Sequence, residues 1–314
     1  MNPRCLLAAL CLAPLAAAAD ARSGCKLPAG ASMRVVEYFN GPPTLANDLK
    51  CDGHKCSLKG WLYLPRGVAA GSKAVVFLHG HAQDRHEACA ITDEVLGKGW
   101  VVFAPVRRGH NGLDGDKKVF SNTGMYIDDW AKKQPSGATD ANLFEAYRVR
   151  YAILWKADVE LALRHLAGMA FGGGKLINPR HIGLIGHSYG GILSLLSADG
   201  SFKVNPAAIV DIAGAELSWG EGTNPWKSVL EAAVKSRRVP IYFLQPRNGK
   251  STAPTAGLSY VAASHGNKEF QAAIFPAVQP ASSVSAQDVH EQFIGTKYVP
   301  KWAPSVRDFF DRYF

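Results

Sequence analysis

The sequence lacks the features that would place it outside the ordinary globular proteins. It has no block of like charge, no low-complexity tract, and no repeat at the periods of solenoids or propellers. It has no segment typical of nucleic-acid-binding modules, although the formal net charge is +9. The basic residues are therefore expected on the surface, with a mild preference for anionic partners. With 314 residues, the chain is long enough for one domain with a large core.

Long apolar runs are absent except at the N-terminus, so no membrane-spanning segment is expected in the rest of the chain. Arg4 gives a positive start, Cys5–Ala19 is apolar apart from one proline, and Ala19-Asp20-Ala21 offers a cleavage site with small residues. We therefore predict a signal peptide over residues 1–21 and a single domain over 22–314. The protein is expected to be secreted or periplasmic.

Cysteine is also scarce. Removal of residues 1–21 would leave Cys25, Cys51, Cys56 and Cys89, and an even number of cysteines in an exported protein suggests disulfides. Cys51 and Cys56 bracket a sequence typical of a hairpin turn, so the preferred pairing is Cys51–Cys56, which leaves Cys25–Cys89. A metal site that uses His54 is the alternative, but the spacing is poor for zinc, and we expect no metal and no cofactor.

The periodicity of apolar residues predicts an α/β fold. Met33–Phe39 and Cys56–Leu64 alternate apolar and polar residues, and they are expected to form an antiparallel pair at a sheet edge. From residue 73 onwards, short apolar strands alternate with helical patterns. Right-handed crossovers then give a mostly parallel, twisted sheet with helices on both faces. Ligands of such sheets bind at the carboxyl ends of the strands.

A nucleophile motif lies at one of these strand ends. Gly186-His187-Ser188-Tyr189-Gly190 follows an apolar strand and precedes a run of small and apolar residues that suits a helix. The sequence fits G-x-S-x-G, in which a sharp turn exposes the serine and the glycines permit close packing around it. Ser188 is therefore the predicted nucleophile.

A serine hydroxyl needs a base to take its proton. In proteins with this elbow the histidine comes last along the chain, after the acid. His290 is expected in the loop between the last strand, Phe270–Phe275, and the closing helix, Pro304–Tyr313, from which an imidazole can reach the serine. His265 is the alternative, but it precedes a glycine at a helix end, where a surface role is expected.

The oxyanion that forms during acyl transfer needs two backbone N–H donors. The amide of Tyr189, directly after the nucleophile, is the first predicted donor. The second is the amide of His81, in the loop His79-Gly80-His81 that follows the buried strand Lys73–Leu78. A plain turn after that strand is the alternative reading of this loop.

These motifs together resemble the α/β-hydrolases, and specifically the secreted serine esterases of the dienelactone-hydrolase-like group. The resemblance rests on His79-Gly80, on Pro105 through Gly109, on the elbow, and on Trp302 through Phe310, and it covers most of residues 33 to 314. It implies the α/β-hydrolase fold and hydrolysis of a small-molecule ester without a cofactor. Dienelactone hydrolases proper use a cysteine nucleophile, so Ser188 favours ester hydrolysis more broadly.

The chain departs from this resemblance in its acid. The family's aspartate follows the strand that matches Val239–Leu244, and Gly249 occupies that position here. Asp211, at the end of the preceding strand, is the preferred replacement, with Glu216 on the same loop as its neighbour. A strand-end turn role is an equally good interpretation of Asp211. Asn248 could instead orient the imidazole through a neutral hydrogen bond.

Three functional hypotheses follow. The main one is a carboxylic ester hydrolase that forms an acyl-enzyme on Ser188. A peptidase or amide hydrolase using the same residues is the second, and a catalytically impaired binding protein is the third, because Gly249 replaces the usual acid. The long connection over residues 107–142 is expected to cover the pocket, with Tyr126 and Trp130 lining it or packing in the core.

Overall fold

A computed structural model gives the architecture of the chain. It describes residue 25 and residues 27–41, 56–80, 85–108, 110–114, 117–121, 141–214, 225–235, 239–249, 251–266, 269–278, 286–295 and 297–314. The predicted signal peptide, Cys51, His81, Tyr126, Trp130 and Glu216 lie outside these residues.

An eight-stranded sheet forms the centre of the molecule. Its strands are β1 (Ser32–Gly41), β2 (Cys56–Leu64), β3 (Ser72–Leu78), β4 (Val101–Pro105), β9 (Ile177–His187), β10 (Ala208–Ile212), β11 (Ile241–Pro246) and β12 (Phe270–Phe275). They lie in the order β1-β2-β4-β3-β9-β10-β11-β12. The pairs β1–β2 and β2–β4 are antiparallel, whereas every pair from β4 to β12 is parallel. This confirms the predicted edge pair and the mostly parallel sheet.

Helices cover both faces of this sheet. They are α1 (Arg85–Gly97), α2 (Ala141–Gly168), α3 (Tyr189–Leu196), α4 (Pro225–Lys235), α5 (Thr252–Ser264), α6 (Ala286–Phe293) and α7 (Val299–Asp311). One apolar layer lies between the sheet and α2 to α5, and the other lies between the sheet and α1, α6 and α7. Among the described residues, no helix is long and apolar enough to span a bilayer.

Successive residues of a strand point to opposite faces of a sheet. In β9, Leu184 packs in the layer of α2 to α5 and Ile185 in the layer of α1, α6 and α7. The same alternation holds in β10, where Ile209 belongs to the first layer and Val210 to the second. This alternation decides which face each polar side chain at the strand ends can reach.

Some local predictions were wrong. His290 lies on α6 and not in a loop, and the closing helix begins at Val299, with Pro304 inside it. The connection over 107–142 contains a hairpin of β5 (Asn111–Asp114) and β6 (Lys117–Ser121). A second small hairpin, β7 (Ala170–Phe171) with β8 (Gly174–Lys175), precedes β9.

The disulfide prediction is confirmed for one pair. Cys25 and Cys89 form a disulfide that joins the segment before β1 to α1. The preferred pair, Cys51–Cys56, involves a cysteine outside the described residues and stays a prediction.

Candidate active site

Ser188 occupies the turn between β9 and α3. Its backbone has φ 53° and ψ −120°, and only one other described non-glycine residue, Ala213, has a positive φ. Such a backbone costs roughly 1–3 kcal/mol and persists only where the surroundings enforce it. Here the amide of Ser188 donates to the carbonyl of Ile212 at 2.9 Å, and its carbonyl accepts from Ile192 at 3.1 Å. The half-buried side chain lies at the carboxyl end of the sheet.

The glycines around Ser188 are required by close packing. A Cβ on Gly186 would overlap the carbonyl of Gly190, and a Cβ on Gly190 would overlap the carbonyl of Leu78 at the end of β3. Helix α3 can therefore start directly against β3 and β9 only because these positions have no side chain.

His290 lies beside the residue that precedes the nucleophile. Its side chain is 4% exposed, and its ring centroid is 4.6 Å from that of His187, with 34° between the two ring planes. Helix α6 is held in place by its buried residues Val289 and Phe293 and by a bond of 2.9 Å from the indole N–H of Trp302 to the carbonyl of Phe293. The structure thus brings the predicted base to the elbow.

Arg107 holds the loop after β3 in place through hydrogen bonds. Its guanidinium donates to the carbonyls of His79 and Gly80, the latter at 2.8 Å, and it stacks over the rings of Trp155 and Tyr189. Arg107 is 3% exposed. Its bonds fix two consecutive carbonyls, which sets the orientation of the peptide units that carry them because peptides are planar.

Of the two predicted oxyanion donors, the structure describes one. Tyr189 is the first residue of α3, and first-turn amides point out of the helix N-terminus, where negative charge is stabilised. Its buried ring packs edge-on against Trp155 and Trp226. His81 lies outside the described residues, so its amide stays a prediction.

Glu87 was missed by the sequence reasoning. It lies in the first turn of α1, and its Oε2 accepts from the amide of Gly80 at 2.6 Å and lies 3.2 Å from Nδ1 of His187. An acidic residue in the first turn of a helix is common because it complements the helix dipole, so the pattern alone gives it no special role. Only the fold reveals that Glu87 faces the elbow.

Asp211 is buried on the other face of the sheet. It follows Val210 in β10 and points towards α3, where its Oδ1 accepts from the amide of Gly214 at 2.9 Å and leaves no room for a side chain at Gly191. Complete burial raises its pKa to about 7, although the bond from Gly214 acts in the opposite direction. His187, against which His290 packs, lies on the face of α1.

The remaining candidates for the acid have different surroundings. The side-chain amide of Asn248 donates to the carbonyl of Val278 at 3.1 Å and accepts from its amide at 2.9 Å, so both of its ends bind the loop after β12. At Gly249, an added Cβ would overlap the amide nitrogen of Gln245. Glu216 lies outside the described residues.

A buried ion pair connects the strand β4 region to α2. Arg108 and Asp158 are both 2% exposed, and Nε of Arg108 donates to Oδ1 of Asp158 at 3.0 Å.

Within the described ranges, no group of three or more His, Cys, Asp and Glu side chains is arranged to hold a metal ion.

Comparison with known proteins decides the family. A model of the alpha/beta hydrolase family matches residues 75–311, about three quarters of the chain. The chain belongs to the alpha/beta hydrolase family. The match begins in β3 and ends in α7, so the parallel sheet from residue 75 of β3 onwards, the elbow and His290 of this α/β hydrolase lie within the matched region. A comparison with curated protein sequences finds no match.

Solved structures share the fold of this α/β hydrolase at low sequence identity. An acylaminoacyl peptidase of Pyrococcus horikoshii gives a TM-score of 0.58 at 16% identity over 90% of this chain, which spans 42% of the peptidase. An esterase of Pyrococcus furiosus gives 0.54 at 15% identity, covering 90% of this chain and 93% of the esterase. A putative dienelactone hydrolase of Klebsiella pneumoniae gives 0.55 at 12%, covering 90% and 100%.

Proposed function

We propose that this α/β hydrolase is a serine hydrolase that cleaves carboxylic esters of small molecules through an acyl-enzyme on Ser188. The observation that carries the proposal is the strained backbone of Ser188 at the β9–α3 turn, with His290 packed against the neighbouring His187. Strain of this kind is retained where function requires it, since a relaxed turn would be more stable. Matches to an esterase and a putative dienelactone hydrolase support the same class.

In the proposed reaction, Oγ of Ser188 attacks the acyl carbon while the imidazole of His290 accepts the hydroxyl proton. The amides of Tyr189 and His81 stabilise the oxyanion. His290 then returns the proton to the departing alcohol, and the acyl group stays on Ser188. A water molecule then attacks the acyl carbon and gives a proton to His290. His290 passes that proton to Oγ of Ser188 as the carboxylic acid leaves.

The acid is the part of the proposed triad in which the sequence departs from the family that it resembles. Asp211 is the carboxylate that the sequence predicts for this role, and its assignment stays a prediction. Its position on the α3 face and its bond to Gly214 support a different role, as a buried support of the elbow. Loss of a triad acid costs up to ~10⁴ in rate, so the turnover of an Asp211→Asn variant separates the two roles. We expect it to stay within about threefold of the wild type.

Labelling with a fluorophosphonate tests the nucleophile and the base. We expect the wild type to be labelled on Ser188 and to hydrolyse short-chain p-nitrophenyl esters, and Ser188→Ala to do neither. His290→Ala should lose on the order of 10³-fold in kcat/KM. His265→Ala is the matched control, because the bonds of His265 to other described residues stay within its own helix end, at the carbonyl of Val261 and the hydroxyl of Ser264. A folded wild type that is not labelled would contradict the proposal and favour the binding protein.

The choice between ester and amide substrates needs a separate measurement. The matches include an acylaminoacyl peptidase as well as an esterase, and both reactions use the same residues. We expect turnover of p-nitrophenyl esters with an initial burst of nitrophenol, which reports accumulation of the acyl-enzyme. Faster turnover of the corresponding anilides would instead assign the chain to the amide hydrolases.

We also propose that residues 1–21 direct export to an oxidising compartment. The composition of this segment and the Cys25–Cys89 disulfide support this localisation. Expression of the full chain in a bacterium, followed by fractionation, should give a mature protein that begins at residue 22. An uncleaved protein found only in the cytoplasm would contradict export.

A further inference from the structure

Glu87 connects three segments at the elbow. It belongs to α1, its carboxylate accepts from the amide of Gly80 in the loop after β3, and it lies against His187 at the end of β9. Its side chain is 13% exposed, and that of His187 is 4% exposed. A half-buried carboxylate in contact with an imidazole is therefore present at this site, one hundred residues before His187 along the chain.

The contact with Glu87 orients the ring of His187. A carboxylate accepts hydrogen bonds but does not donate them, so Nδ1 of His187 must carry the proton that faces it. The other ring nitrogen, Nε2, is buried and has no hydrogen-bond partner among the described residues. The ring as a whole lies against that of His290. His187 thus contacts Glu87 through Nδ1 and the ring of the predicted base through its own ring.

A carboxylate near the predicted base would assist the predicted reaction. His290 becomes positively charged each time it takes the proton of Ser188, and a nearby negative charge stabilises that state. The space beside Gly249 is filled by the side chain of Gln245, and Asp211 faces α3 on the other side of the sheet. Glu87 lies on the same face as His187 and His290, and its side chain is half-buried.

We propose that Glu87 is a positioning residue that acts through His187: it holds His187 against His290 and supplies the negative charge that stabilises the protonated His290. This inference rests on the proposed function. Glu87 neither gains nor loses a proton in the cycle, and the proton moves only among Ser188, His290, the alcohol and water. The other charged or titratable groups described near this cluster include His79, the guanidinium of Arg107, which bonds the carbonyls of His79 and Gly80, and His110, whose ring centroid lies 5.2 Å from that of His79.

The test is Glu87→Gln, which keeps an oxygen that can accept from Gly80 but removes the charge. We expect kcat for p-nitrophenyl esters to fall roughly 30-fold, less than for a directly bonded acid because a ring intervenes. KM should change less than about twofold, and the thermal midpoint should stay within about 2 °C. The matched control is Glu94→Gln on the same helix. The carboxylate of Glu94 accepts from Arg307 at 2.5 Å and does not contact the elbow residues described above. The kcat of this variant should be unchanged.

A double-mutant cycle separates action through His187 from simple support of the loop. If Glu87 acts through His187, Glu87→Gln should have little further effect on kcat in a His187→Asn background. Equal fold-changes in the two backgrounds would overturn the inference, as would a Glu87→Gln variant with wild-type kcat. A wild type that neither labels on Ser188 nor turns over esters overturns the proposed function itself, and the inference with it. A labelled, active wild type with an unaffected Glu87→Gln variant rejects the inference alone.

Discussion

At the scale of single residues, the polar side chains beneath α3 and α5 are more deeply buried than those at the elbow. Asp211 is 0% exposed and Gln245 is 1% exposed, and they lie on the same face of neighbouring strands, since Asp211 pairs with Phe243 two residues before Gln245. Oδ2 of Asp211 and Oε1 of Gln245 have no hydrogen-bond partner among the described residues. A buried carboxylate oxygen without a partner is costly when it is charged, which favours the protonated form of Asp211. The raised pKa of Asp211 fits this preference.

The ionisation of Asp211 makes a prediction about stability. Its pKa rises from 3.8 to about 7 on folding, so the folded state binds this proton more tightly than the unfolded state does. Its contribution to the free energy of unfolding is therefore full below pH 3.8 and falls by about 4 kcal/mol as the pH rises to 7. Asp211→Asn removes this dependence. We expect the free energy of unfolding of Asp211→Asn relative to the wild type, measured with urea, to increase between pH 5 and pH 8.

The measurement is the difference in free energy of unfolding between the variant and the wild type at each pH. At pH 8 the asparagine avoids a buried charge. A difference in stability between the two proteins that is the same at pH 5 and pH 8 would show that Asp211 titrates alike in the folded and unfolded states. A loss of turnover near 10⁴ in the same variant would restore Asp211 to the catalytic triad.

At the scale of elements, the strands and most of the helices could be predicted because their apolar residues recur at the period of the element. The helix α6 could not. It has eight residues, and its apolar positions, Val289 and Phe293, acquire meaning only once Trp302 of α7 packs on them and bonds the carbonyl of Phe293. The start of α7 was placed too late because proline favours the first turn of a helix, whereas Pro304 lies inside it.

The candidate site could be predicted only where its residues form a local sequence pattern. The elbow is a local pattern, so Ser188 can be recognised without the fold. Glu87 could not be recognised, because its partner His187 is distant in sequence and an acidic residue in the first turn of a helix is ordinary. Asp211 could be found as a buried strand-end carboxylate, but the face towards which it points depends on the phase of β10 relative to the helices.

The Cys25–Cys89 disulfide ties α1, the helix that carries Glu87, to the start of the described chain. It closes a loop of 64 residues, which corresponds to about 4 kcal/mol of stabilisation in the chain-entropy model. We expect the double variant Cys25→Ser, Cys89→Ser to lose about 3–4 kcal/mol in urea unfolding. A reductant should lower the stability of the wild type to a similar extent. A double variant as stable as the oxidised wild type would contradict this assignment of the stabilisation.

At the scale of the whole molecule, the sheet separates what stabilises the fold from what performs the proposed chemistry. The apolar residues of the two layers lie along the strands, whereas Ser188, His187 and Glu87 gather at the carboxyl edge. This division is typical of parallel sheets, in which strand ends and loops carry function and the strands carry the core. Stability and turnover should therefore respond to different substitutions along the single strand β9.

Two substitutions in and after β9 test this separation. Gly183 lies five residues before Ser188, and an added Cβ would lie 2.5 Å from the ring of Phe310 in α7; Gly183→Ala should cost about 1–3 kcal/mol by overpacking, with kcat within about twofold. Ser188→Gly should do the opposite, because glycine adopts φ 53° without strain and has no nucleophile. We expect it to gain about 1 kcal/mol and lose all turnover. Urea unfolding and p-nitrophenyl ester assays on both variants measure the two effects. A loss of turnover in Gly183→Ala that matched its loss of stability would contradict the separation. The site and the core would then form one cooperative unit, and the strain at Ser188 would not serve function alone.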